Sequence, residues 1–134
     1  MRDVHWAAML GAMVLRTLIV DDNERFLDAA RSSLGRELEV VGTAQSSVEA
    51  LRLTAEHQPS VVLVDIGLGE ESGFDLARRL EDGFPELGLR IVMISTRSED
   101  DYVELIASSP AIGFLPKSQL SATAVRALVS TAAA

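Results

Sequence analysis

The sequence has no cysteine, which excludes a disulfide framework and any thiolate-held metal and makes an intracellular setting the default. It has two histidines, His5 and His57, too few and too scattered to build an imidazole metal site. No apolar run approaches the roughly 20 residues that span a bilayer, so no membrane association is expected. Met1–Val14, with Trp6, Ala7, Ala8, Met9 and Leu10, has some flavour of a signal peptide. Arg2 is cancelled by Asp3, however, and a strand-like run follows almost at once, so a cytoplasmic location is expected. Positive charge is also in short supply. A net charge of −8 over 134 residues argues against this domain gripping a nucleic-acid backbone by itself. Lysine is scarcer still: Lys117 is the sole one, against eleven arginines. A codon preference accounts for the arginines but not for the exception.

What is present is an alternation. Short aliphatic and β-branched runs, Leu15–Val20, Glu39–Thr43, Ser60–Asp65, Leu89–Ser95 and Ile112–Leu115, are separated by segments of helical period. Asn23–Leu34 carries Phe26, Leu27, Ala30 and Leu34 at helical spacing, with Gly35 as a stop. Ser46 or Ser47 can cap a second helix, with Glu49 and Glu56 on its surface and Val48, Leu51 and Ala55 facing in. Gly73–Glu81, Glu99–Ser108 and Ser121–Thr131 read as three more helices. The order is (βα)5. Unbroken apolar strands such as Val61-Val62-Leu63-Val64 belong to parallel sheets covered on both faces, so a doubly wound α/β sandwich is expected. Residues 15–131 should form this domain, with residues 1–14 an extension that is disordered or a misassigned start.

In an open parallel sheet, ligands bind beyond the carboxyl ends of the strands. The first strand ends in Asp21 and Asp22, the third in Asp65 and the fourth in Ser95 and Thr96, while Lys117 follows the fifth. Three carboxylates, a hydroxyl and an ammonium would therefore share one rim. Carboxylates so close raise one another's pKa unless a cation intervenes, and hard oxygen ligands with open positions suit Mg²⁺. A carboxylate can itself be the nucleophile in phosphoryl transfer. Each element has a plainer explanation: an Asp at a strand end caps a turn, Ser95-Thr96 caps a helix, and a lone lysine is a solvated charge. Unrelated caps would have no reason to gather in this complement on one edge.

Four runs resemble the signatures of response-regulator receiver domains: Leu18-Ile19-Val20-Asp21-Asp22, Val61-Val62-Leu63-Val64-Asp65, Ile91-Val92-Met93-Ile94-Ser95 and Gly113-Phe114-Leu115-Pro116-Lys117. The separations are similar too, at 43 residues from Asp22 to Asp65, 30 more to Ser95 and 22 more to Lys117, and Gly73 stands where the family usually has glycine. The resemblance covers about Leu15 to Leu128. It implies a flavodoxin-like five-stranded sheet in the order 2-1-3-4-5. Asp65 would be the phosphoacceptor, and Asp22, Asp21 through water, Asp65 and the backbone carbonyl of Gly67 would hold Mg²⁺. Ser95 would be the switch hydroxyl, Phe114 the aromatic that changes rotamer with it, and Lys117 the lysine of the site. A compact ammonium fits a pocket that a planar guanidinium would overfill, which is a reason for the one lysine among arginines.

The implied partners are a histidine kinase or phosphotransfer protein and a second copy bound through the last two helices. DNA would enter only through an output domain absent from this sequence. The role implied is that of a signalling switch rather than an enzyme, and the alternative is a docking module that keeps the fold without using the phosphate. An aspartyl-phosphate hydrolase would want an Asp two residues after the nucleophile, where Gly67 stands. Gly67-x-Gly69 with Gly73 falls short of a dinucleotide loop, because the third glycine comes one place late and the loop follows the third strand. The sequence departs from the family in two places. Gly69 stands where proline is frequent, and Lys117 is preceded by Pro116 and followed by Ser118 where a cis proline is common. Arg97 and Gly67 occupy positions that in this family influence phosphoryl hydrolysis. Tyr102 and Phe26 read as packing residues, and Glu70-Glu71 and Asp100-Asp101 as solvated charges.

Overall fold

Val61-Val62-Leu63-Val64 has no polar side to offer water, and a strand made of it is stable only when covered on both faces. A computed structural model of the chain describes residues 15–133 and buries this run completely, as the middle strand of a five-stranded parallel sheet. Residues 1–14, expected to be an extension, lie outside the described residues. The strands are β1 (Arg16–Val20), β2 (Glu39–Ala44), β3 (Val61–Asp65), β6 (Arg90–Ser95) and β7 (Gly113–Pro116), in the order β2-β1-β3-β6-β7. Two further short strands, β4 (Gly67–Leu68) and β5 (Glu71–Ser72), pair only with each other. Apart from that hairpin, the order is the expected 2-1-3-4-5.

Successive side chains of a strand point to opposite faces, so each central strand supplies two cores. Leu18, Val20, Val62, Val64, Ile91 and Met93 face one side, against α2 (Ser47–His57) and α3 (Gly73–Gly83). Ile19, Val61, Leu63, Val92 and Ile94 face the other, against α1 (Glu24–Leu34) and α5 (Ala122–Ala133). Burying one such side chain contributes about 1.5–3 kcal/mol, so the strands with two covered faces dominate the stability of the fold. Among the described residues no helix is long and apolar enough to cross a membrane.

The helices differ from expectation in two places. In α2 the buried residues are Ser47, Ala50 and Thr54, whereas Val48 is 72% exposed and Ala55 also faces water. Ser46 is the cap, its Oγ accepting from Glu49 N at 3.2 Å, which sets the phase of the helix and turns Ser47 inward. Thr54 tolerates full burial because its hydroxyl donates to Ala50 O at 2.7 Å. The expected helix Glu99–Ser108 is a 3₁₀ turn, Glu99–Asp101, followed by a short α4 (Val103–Ala107). Asp100 and Asp101 are poor helix formers, and with Val103 and Leu105 largely exposed this segment rests on Tyr102 and Ile106 for anchorage.

At the head of α3, Gly73 N donates to Ile66 O at 2.8 Å, drawing the helix start onto the end of β3. A Cβ at Gly73 would lie 2.1 Å from the carbonyl oxygen of Asp65 and 2.9 Å from Ile66 Cα. Both neighbours are backbone, which cannot rotate away as a side chain would. Gly73→Ala is expected to cost about 1–3 kcal/mol of stability, read as a lower urea midpoint, whereas Gly83→Ala, where a Cβ meets nothing, should not.

Candidate functional site

The strand registers bring the polar ends together. Val20 pairs with Val64, Asp65 with Ile94, and Ser95 with Pro116, so the residues that follow β1, β3, β6 and β7 emerge along one edge. Asp21 is the first residue past β1. Its N–H donates to Ala44 O at 2.9 Å, extending the ladder, and its Oδ1 accepts from Asn23 N at 2.8 Å. Asn23 in turn caps α1, its Oδ1 accepting from Phe26 N at 3.1 Å. Asp22, between them, is exposed. Asp65 closes β3 with its side chain only 12% exposed. Carboxylate oxygens of Asp21, Asp22 and Asp65 all lie within 4.8 Å of one another.

Lys117 follows β7 and is 14% exposed. Its Nζ pairs closely with Asp21 Oδ2, lies 3.7 Å from Asp65 Oδ2, and sits 4.3 Å from the centroid of the Phe26 ring. Asp21 Oδ2 is buried and accepts no conventional hydrogen bond, so the ion pair is its compensation. One ammonium among three carboxylates leaves two negative charges in excess. The cost appears on Asp65, whose pKa is raised from 3.8 to about 6, first by burial and then by the charge of Asp21; Lys117 and the Gly67 backbone N–H pull it the other way without prevailing. An all-oxygen acidic cluster with more negative than positive charge fits a divalent cation, which would neutralise the excess.

Ser95 ends β6, and its Oγ accepts from Arg97 N at 3.0 Å, leaving its own proton for an acceptor. Phe114 is buried on β7, its centroid 6.4 Å from that of Tyr102, which lies 6.4 Å from that of Phe74. The loop after β3 is ordered as the β4–β5 hairpin, with Gly69 at φ 61°, the left-handed region that glycine favours. The described chain contains no cis peptide, so the Lys117–Ser118 bond is trans. Tyr102 packs as expected, between two buried aromatics. Two residues differ from the expectation of packing or solvation alone: Phe26 carries the ammonium on its ring, and exposed Glu71 accepts from Ser47 N at 3.0 Å, joining the hairpin to the start of α2. Phe26 lies one helical turn beyond Asp22, a spacing that places it near the acidic pair; its nearness to Lys117 has no sequence signal.

A family model described as the response regulator receiver domain matches residues 17–129. The response regulator GacA of Pseudomonas viridiflava is 29% identical over 121 residues, covering 86% of this chain and 54% of that protein. The chain thus spans about half the length of that relative, and less of two others, at 44% and 30%. The signal receiver domain of NarL from Mycobacterium tuberculosis superimposes with a TM-score of 0.74 at 28% identity, covering 89% of this chain and 96% of that one. A response regulator from Burkholderia pseudomallei, solved with a phosphorylated aspartic acid, a calcium ion and citrate, gives a TM-score of 0.74 at 26% identity, covering 85% and 65%.

The raised pKa of Asp65 has a consequence for stability. The native state holds this proton more tightly than the unfolded chain does, so the residue's favourable contribution is complete below pH 3.8 and lost as pH rises through about 6. Without divalent metal at pH 8, Asp65→Asn should be more stable than the parent by up to roughly 2–3 kcal/mol. The gap should close toward pH 4. Urea titrations at pH 8, 6 and 4 would measure it, and equal midpoints at pH 8 would contradict a raised pKa for Asp65.

Proposed function

The chain belongs to the response regulator receiver domain family, and on that premise we propose that Asp65 accepts a phosphoryl group and that its phosphorylation changes the domain's affinity for a partner. The observation that carries this reading is the cluster at the sheet edge: three carboxylates within 4.8 Å of one another, paired with the only lysine in the sequence. Receiver domains are signalling domains, and the donor proposed here is a phosphohistidine on a kinase or phosphotransfer protein.

An oxygen of Asp65 attacks the phosphorus, the bond from phosphorus to the imidazole nitrogen breaks, and the imidazole leaves with that electron pair. Asp21, Asp22 and Asp65, with the Gly67 carbonyl, would hold a magnesium ion, which supplies charge neutralisation at the phosphoryl oxygens when bound. Lys117 pairs with another of those oxygens, having Asp65 Oδ2 already 3.7 Å away. Ser95 donates its free hydroxyl proton to the phosphoryl group. Movement of Ser95 draws Phe114 with it, and Phe114 is packed on Tyr102 at the start of α4, so the surface there would respond. The receiver unit so read spans residues 15–131, works in the cytoplasm, and pairs with a second copy through the last two helices. What listens to it lies in the remainder of a longer regulator or in a separate protein.

Incubation with acetyl phosphate and Mg²⁺ is expected to add one phosphate by intact mass, and Asp65→Asn to abolish it. A parent that stays unmodified would favour a docking module that keeps the fold without the phosphate. Lys117→Arg keeps the charge but changes its shape, and should slow phosphate incorporation about tenfold or more. Incorporation at the parent rate would remove Lys117 from the site.

A further inference from the structure

Three groups surround the Lys117 ammonium: the Asp21 carboxylate, the Asp65 carboxylate and the face of Phe26. The first two belong to the site already described. Phe26 does not, because it carries no group that could touch a metal or a phosphate. Its position is nonetheless well defined. It is the third residue of α1, its backbone N–H is held by the Asn23 cap, and its half-buried ring packs on the core between α1 and the sheet. A centroid distance of 4.3 Å is well inside the roughly 6 Å over which a ring face attracts a cation.

We propose that Phe26 is a positioning residue for Lys117, its ring holding the ammonium in the gap between Asp21 and Asp65 from which it meets the incoming phosphoryl group. The proposal rests on the phosphoacceptor reading of Asp65. The physical need is plain. A lysine has a four-carbon stem with many rotamers, and its ammonium is strongly hydrated. Asp21 holds it more closely than Asp65 does, so the carboxylates alone favour a pose withdrawn from the phosphoacceptor. The ring attracts the charge without neutralising it, and its area keeps water from one side of the ammonium. A charge so shielded acts more strongly on a phosphoryl oxygen than a solvated one. A carboxylate in place of the ring would cancel the charge, and an aliphatic side chain would shield it without attracting it.

Because Lys117 is the sole lysine, labelled lysine yields a single side-chain spin system in the full chain. In metal-free parent protein its Hε protons should be shifted upfield by the ring current and show Overhauser contacts to the Phe26 ring. Phe26→Leu and Phe26→Met should lose the upfield shift. Both should also reduce the rate constant for phosphorylation by acetyl phosphate roughly two- to fivefold, the fold-change matching an ordinary cation–π contact. Phe26→Trp should restore both. Acetyl phosphate as donor takes any docking protein out of the comparison, so a lost partner contact on α1 cannot mimic the effect. Parent protein phosphorylated on Asp65 without the ring-current shift would overturn the proposal, and so would aliphatic variants that react at the parent rate or a tryptophan variant as slow as they are. Should an aliphatic variant fail to fold, the parent spectrum and the tryptophan variant decide. A parent that takes no phosphate at all would instead overturn the phosphoacceptor reading beneath it.

Discussion

Negative charge crowds the carboxyl edge of the sheet, and the arrangement of the site answers to it. Asp21, Asp22 and Asp65 come within 4.8 Å of one another, with one ammonium to oppose them. At such separations each like-charged pair costs about 1–4 kcal/mol, depending on how much water screens it. The fold answers in three ways. It places Lys117 against the most buried carboxylate, gives Asp65 a backbone N–H from Gly67, and leaves Asp22 exposed to water. The pKa of Asp65 is still raised, first by its burial and then by the charge of Asp21. A site left short of positive charge is one that a cation would fit.

Everything that delivers those groups is apolar and ordinary. β1, β3 and β6 are buried along nearly their whole length, so their register is held by side-chain packing on both faces and their ends are fixed in space. The polar residues then need only stand one step past the packed part of each strand. The loops around the rim are held by polar ties instead: Asn23 capping α1, Glu71 accepting from the start of α2, and Gly73 bringing α3 onto the carbonyl of Ile66. Tyr102 continues this layout away from the rim, its ring lying between those of Phe114 and Phe74. The least anchored element is the short helix after β6, with Val103 and Leu105 exposed and acidic residues ahead of it.

Much of this was legible beforehand, and the misses have physical causes. The five strands of the main sheet could be read, because a run such as Val61–Val64 has one stable environment, whereas their order was implied only by the family resemblance. Helix phase was less legible in α2. Hydrophobicity favours Val48 over Ser47 as an inward residue, but the Ser46 cap decides the phase and the Thr54 hydroxyl finds its partner within the helix. The β4–β5 hairpin was not foreseen, since two strands of two residues each leave no periodic trace. Glu71 likewise read as a solvated charge, and nothing in its neighbours announces a bond to Ser47, 24 positions away.

The class of fold and the set of polar residues at the strand ends are written in the linear chain, as is the isolation of Lys117 among arginines. These are local facts: apolar periodicity, cap chemistry and the identity of the residue after each strand. How the charges are shared is a property of the closed fold. That Lys117 binds Asp21 more closely than Asp65, that Asp21 retains a buried oxygen without a hydrogen bond, and that the ring of Phe26 lies against the ammonium all depend on contacts between residues up to 96 positions apart. Electrostatic energy depends on distance and burial, and neither exists along the chain until the sheet has closed.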